Sequence, residues 1–208
     1  MILQKHTVQG AAGRLQVEVQ SPVQSSDSPR GLAVVCHPHP LFGGSMSNKV
    51  ATTLATTAAR AGYVALRFNF RGVGNSEGVH NNGLGETDDT LLLLDWLQQQ
   101  HPQGLPTVLM GFSFGGYVAT RAASQQPSVQ KLLTVAPALR YFDDPLPPRP
   151  RADWHLLHSE DDDIVSYAET HDQAMRFSPP PIWTGTQGCG HFFHGKLGEV
   201  QEWVAKIL

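Results

Sequence analysis

The hydrophobic pattern changes period several times along the chain, and each change marks an element. Residues 14–20 alternate Leu15, Val17 and Val19 with polar partners, the two-residue period of a half-buried strand, and predict an edge strand. A loop over 21–30 follows. Residues 32–36, Leu-Ala-Val-Val-Cys, are apolar on both faces and predict a strand buried between two layers. Helical spacing takes over at 48–60, where Val50, Ala51, Leu54, Ala55 and Ala58 share one stripe and Gly62 stands just past the end as a stop signal. A strand over 63–70 and a glycine-rich turn over 71–75 come next. A helix over 86–100 then carries acidic residues in its first turn and Leu93, Trp96 and Leu97 on its inward face.

The alternation continues with a strand at 107–110, a helix at 114–125 and strands at 131–135 and 154–158. A helix at 167–176, a strand at 181–186 and an amphipathic helix through Leu197, Val200, Val204 and Ile207 complete it. Strands and helices alternating at this spacing need crossover connections. The expectation is one α/β domain over 1–208, with a mostly parallel central sheet and helices on both faces. The proline-rich stretch 137–151 is too short to form a helical lid, so no cap domain is expected.

Composition narrows the function classes. Hydrophobic residues make up 40% of the 208 and charged residues 16%, which allows a sizeable core and excludes a disordered chain. Fifteen Lys and Arg against 18 Asp and Glu give a formal charge of −3 with no basic block, so no nucleic-acid partner is expected. The start, Met-Ile-Leu-Gln-Lys-His, lacks the apolar stretch of a secretory signal, and no apolar run is long enough for a bilayer. Two cysteines, Cys36 and Cys189, are too few for a disulfide framework and read as reduced thiols. A cytoplasmic protein with no membrane partner is expected.

The candidate chemistry lies where strands end. Gly111-Phe112-Ser113-Phe114-Gly115 sits between a predicted strand and a predicted helix, the setting that a G-x-S-x-G nucleophile elbow demands. The pattern alone is common, and its setting makes it informative. A serine nucleophile needs a carboxylate and then a histidine later in the chain. The acidic run Glu160-Asp161-Asp162-Asp163 follows one predicted strand, and Gly190-His191-Phe192-Phe193-His194 follows the last. His191 fits the base by its place in that order, while the run leaves the choice among its carboxylates open. Backbone donors for an oxyanion are the N–H of Phe114 and one from the loop after Cys36. Pro38 and Pro40 have no N–H, which leaves His39 or Leu41.

Competing readings are weaker. The turn at Gly72-Val73-Gly74 fails the dinucleotide fingerprint because Glu77 stands where its third glycine belongs. His37, His39, His191, His194 and the aspartates suggest a metal-dependent hydrolase, but prolines flank His37 and His39 and the triad accounts better for His191. A fold kept as a non-catalytic binding module is a third class. No cofactor and no metal are expected.

Taken together, four motifs resemble the α/β-hydrolase superfamily over nearly the whole chain. They are His37-Pro38-His39-Pro40-Leu41-Phe42-Gly43-Gly44, the stretch from Asn69 to Gly78, the elbow, and the stretch from His191 to Leu197. Within the superfamily the chain resembles small, lid-less bacterial serine hydrolases of the dienelactone-hydrolase-like group. The resemblance implies Ser113 as nucleophile, Asp162 as acid, His191 as base, and His39 as the second oxyanion donor beside Phe114. It also implies a small acyl ester or thioester as substrate. Dienelactone hydrolase proper has a cysteine where this chain has Ser113, so its own substrate does not carry over, and Ser159 stands where the acid-loop pattern often has glycine.

Overall fold

A computed structural model describes residues 1–22, 28–101 and 104–208. Part of the loop expected over 21–30 lies outside the described residues. Eight strands form one sheet in the order β1-β2-β4-β3-β5-β6-β7-β8. They are β1 (Ile2–Gly10), β2 (Gly13–Ser21), β3 (Gly31–Cys36), β4 (Tyr63–Phe68), β5 (Thr107–Phe112), β6 (Val129–Val135), β7 (Asp153–Ser159) and β8 (Ile182–Thr186). β1 runs antiparallel to β2, and β2 antiparallel to β4. Every pairing from β4 through β3 to β8 is parallel.

Among the described residues, four helices connect strands, α1 (Lys49–Arg60), α2 (Leu84–Gln100), α3 (Phe114–Gln125) and α4 (Tyr167–Met175), and a fifth, α5 (Leu197–Ile207), follows β8. The strand period of two sorts the core between them. Ala33 and Val35 of β3 face Val50, Ala51 and Leu54 of α1 and Val200 and Val204 of α5. Leu32 and Val34 point the other way, into Leu93 and Leu97 of α2, Val118 and Ala122 of α3 and Ala174 of α4. α1 starts on Asn48, whose side chain accepts from the N–H groups of Val50 and Ala51, as an N-cap should.

One expectation needs correction. The 14–20 strand is not at the edge: β1 pairs along the whole of β2 and takes the edge itself. Its sequence, ILQKHTVQG, is exposed at its first four positions, so no core pattern announces it. The stretch 137–151 contains one 3-10 turn, Leu139–Tyr141, and no lid. Among the described residues no helix is long and apolar enough to cross a membrane.

The parallel strands aim their C-terminal ends at one edge. Between β3 and β5 the winding reverses direction, since β3 is joined through α1 to β4 on one side while β5 lies on the other. Such a switch point opens a crevice beyond the strand ends. Ser113 follows β5, His37 and His39 follow β3, the acidic run follows β7, and His191 follows β8.

Candidate active site

The elbow is a strained turn held by its surroundings. Ser113 has φ 56° and ψ −121°, a conformation that costs a non-glycine residue about 1–3 kcal/mol. It is pinned on both sides. Its N–H donates to Val135 O at 3.0 Å, and its carbonyl accepts from Gly116, Tyr117 and Ala138. A Cβ at Gly111 would run into the Gly115 carbonyl, and one at Gly115 into the carbonyls of Cys36 and His37, so both flanking positions must be glycine. The turn thereby presses the start of α3 against the end of β3.

Ser113 Oγ lies 3.1 Å from His191 Nε2, and His191 Nδ1 lies 2.7 Å from Asp162 Oδ2. In the neutral ring Nδ1–H donates to the carboxylate and Nε2 accepts from the serine hydroxyl. Ser113 is 7% exposed and His191 3%. Phe112 and Phe192 pack on the ring, with centroids 4.8 and 5.0 Å away. Of the three aspartates, Asp162 alone meets His191. Asp161 instead accepts from the Ser159 hydroxyl and from the backbone N–H groups of Gly188, Cys189 and Gly190, tying down the loop that carries His191. Asp163 and His194 are exposed.

The Asp162 carboxylate has no exposed surface. Oδ1 accepts from the N–H groups of Ile164 and Val165, at 2.9 and 2.8 Å. Oδ2 accepts from His191 and also from His158 Nε2, 3.2 Å away. Burial works against ionisation here. The N–H donors of His158, His191 and Val165 outweigh it and hold the carboxyl well below the usual carboxylate range. Sequence reasoning missed His158. Its side chain is fully buried at the end of β7, its Nε2 also lies 3.0 Å from Val165 O, and its buried Nδ1 has no partner. A carbonyl only accepts, so Nε2 carries a proton.

The two candidates for a second backbone donor separate clearly. Leu41 N–H donates to Nδ1 of His39 at 3.2 Å. Among the described residues neither the N–H of His39 nor that of Phe114, the first residue of α3, has an acceptor. His37 serves the scaffold instead: Nδ1 donates to Pro38 O and Nε2 accepts from Phe70 N–H, joining the ends of β3 and β4. Burial lowers its pKa to about 4. The histidines imagined as metal ligands therefore diverge, and among the described residues no three His, Cys, Asp or Glu side chains form a metal cluster. Neither cysteine is poised as a nucleophile, because burial pushes the Cys36 thiol up to about 12 and raises that of Cys189.

Over Ser113 lies an open cleft of about 510 Å³, walled by Phe42, Ile164 and Phe192, with His39, Asn48 and Arg140 as its other polar side chains. The apolar rim is uncovered: Phe42 is 83% exposed, Ile164 48% and Phe192 40%.

This architecture, with a serine at the elbow and no lid, is that of an α/β serine hydrolase. The chain is similar to an α/β serine hydrolase homologue from Coxiella burnetii, at 35% identity over 99% of this chain and 97% of that one, TM-score 0.91. It is also similar to an α/β serine hydrolase without lid from Xanthomonas campestris, at 34% identity over 98% and 92%, TM-score 0.90. An uncharacterized protein of Rickettsia prowazekii is 34% identical over 186 residues, 85% of this chain and 78% of that protein. The family described as X-Pro dipeptidyl-peptidase (S15 family) matches residues 10–146. The chain belongs to that family. The match takes in the elbow and ends before Asp162 and His191.

Proposed function

We propose that the protein is a cytoplasmic esterase or thioesterase that cleaves small acyl substrates through an acyl-enzyme on Ser113. The observation that carries this reading is the unbroken hydrogen-bond chain from Ser113 Oγ through His191 to Asp162, beneath an open cleft. His191 Nε2 takes the hydroxyl proton as Oγ attacks the acyl carbon, and the negative charge develops on the carbonyl oxygen. The free N–H groups of Phe114 and His39 receive that oxyanion. Collapse expels the alcohol or thiol, which leaves with the proton from His191. Water then attacks the acyl-enzyme, with His191 again as base, and releases the acid and Ser113. Asp162 holds Nδ1–H and stabilises the imidazolium formed in each half-reaction.

Dipeptidyl peptidase activity, the one that the family's description names, calls for a group to take the substrate's free terminal ammonium. The cleft lining favours esters instead: it contributes no carboxylate and does contribute Arg140. The test is labelling with a fluorophosphonate, read by peptide mass, beside a panel of short esters, thioesters and X-Pro-anilides. Expected are a label on Ser113, turnover of esters or thioesters, and loss of several orders of magnitude in Ser113→Ala with an unchanged circular dichroism spectrum. Retained ester turnover in the folded Ser113→Ala protein, or selective cleavage of X-Pro-anilides, overturns the reading.

A further inference from the structure

Apart from Ser113 and His191, every polar side chain that lines the cleft offers donors to it. Nδ1 of His39 accepts from Leu41, so the proton of its neutral ring sits on Nε2. Burial first, and then the field of His80, lower the pKa of His39 from the ordinary histidine value, with Glu86 opposing and Arg140 adding to the shift. Oδ1 of Asn48 accepts from Val50 and Ala51, at 2.9 and 3.3 Å, leaving its Nδ2 to donate. Arg140 has donors only.

Four of the ten arginines are ion-paired among the described residues, and of the others Arg140 is the one that lines the cleft. Arg14, Arg67, Arg71 and Arg176 each hold a carboxylate. Among the described residues Arg140 makes no ion pair, and its guanidinium donates only to Ile164 O, at 3.3 Å. Its place is nonetheless fixed relative to the reacting serine. It sits on the 3-10 turn Leu139–Tyr141, whose preceding residue, Ala138, donates its N–H to the Ser113 carbonyl at 3.0 Å. Ile164, which it contacts, donates its own N–H to Asp162. The turn that carries Arg140 is thus tied to the elbow, and its guanidinium to the acid loop. Arg140 also lines an adjoining depression that contains Glu160, Asp163 and Glu169, whose charges disfavour an anion there and leave the Ser113 cleft as the place for one.

We propose that the substrate carries a carboxylate a few bonds from its scissile carbonyl, and that Arg140 binds it as the specificity-determining residue. A planar guanidinium matches a carboxylate with two parallel N–H donors, a fit that holds the carboxylate in one orientation. This rests on the assignment of Ser113 as nucleophile, and it narrows that assignment to acidic esters or thioesters.

The experiment compares kcat/KM within two pairs of esters, with uncatalysed hydrolysis subtracted. One pair places the charge on the acyl side: the mono-p-nitrophenyl ester of adipic acid against p-nitrophenyl hexanoate. The other places it on the leaving group: 4-carboxyphenyl butyrate against 4-methylphenyl butyrate. Expected is a preference for the charged member of at least one pair, on the order of tenfold after correction for leaving-group reactivity. That preference should shrink with added salt, fall to near unity in Arg140→Gln and survive in part in Arg140→Lys. The pair that responds identifies the side of the ester that carries the charge. Equal rates within both pairs, or a preference that persists undiminished in Arg140→Gln, overturn the proposal while hydrolysis of the neutral esters leaves the Ser113 reading standing. No turnover and no fluorophosphonate label overturn both.

Discussion

His158 places its Nε2 3.0 Å from Val165 O and 3.2 Å from Asp162 Oδ2, from a side chain with no exposed surface. The carboxylate that accepts from His191 therefore lies between two imidazoles, the second of which has a buried, partnerless Nδ1. Removing the second imidazole concentrates the carboxylate charge on His191, which then holds its proton more tightly. In His158→Phe, which keeps a ring between Tyr167 and Trp183, kcat/KM is expected to fall about tenfold. The acid limb of its pH profile should move to higher pH. His158→Gln, which can still donate, should recover much of both. Equal losses in the two variants with an unmoved acid limb would mean that the ring only fills space.

The acidic run divides into three roles, and substitution by asparagine should separate them. Asp162→Asn disturbs the tautomer of His191 and should lower kcat on the order of 10⁴-fold, and it should also lower Tm because it removes a buried carboxylate that its N–H donors stabilise in the folded state. Asp161→Asn loosens the anchorage of the loop from Gly188 to Gly190, so a lowered Tm should accompany a milder kinetic loss. Asp163→Asn and His194→Ala, both at exposed positions, should change neither by much. Thermal melts beside steady-state kinetics check all four. A loss in Asp163→Asn equal to that in Asp162→Asn would remove the assignment of the acid.

This division also shows what the sequence can carry. The buried strands and amphipathic helices are legible because burial writes a period into them, as in Ala33 and Val35 against Leu32 and Val34. β1 has no such imprint: it is an exposed edge strand, held by backbone pairing to β2. At the site, Ser113 and His191 are marked by local glycine patterns. Asp162 could be singled out among three neighbours only by family resemblance, because contact with His191 depends on how the loop folds. His158 looks like any strand residue, and its role comes from a loop that turns back over it. Choosing between His39 and Leu41 likewise depends on where one imidazole nitrogen points.

His37 should make stability depend on pH. Its Nδ1–H donates to Pro38 O and its Nε2 accepts from Phe70 N–H, so a second ring proton would face a donor in a buried site. Burial lowers the folded-state pKa to about 4, against about 6.5 in an unfolded chain. Between these values the unfolded state binds more protons. Stability is then full above about pH 6.5 and is lost as pH falls toward 4, by about 3 kcal/mol. Below that, the depressed carboxyl of Asp162 continues the loss as pH falls from about 3.9 toward its folded value. Urea unfolding at several pH values should show this slope, flattened between pH 6.5 and 4 in His37→Gln. An unchanged slope in that variant would assign the dependence to another group.

The exposed rim sets an upper limit on what acyl length can contribute. Each methylene gains about 0.8 kcal/mol only when fully enclosed, and the walls at Phe42, Ile164 and Phe192 remain open to water with no lid above them. The first few carbons of an acyl chain can lie against these side chains, and carbons beyond the rim return to solvent. Across neutral p-nitrophenyl esters from two to sixteen carbons, kcat/KM should rise over the short members and then level or fall, with no activation at a lipid interface. A steady rise toward sixteen carbons would require an enclosing surface that this chain does not supply, and a second copy packed over the rim would be the first arrangement to test.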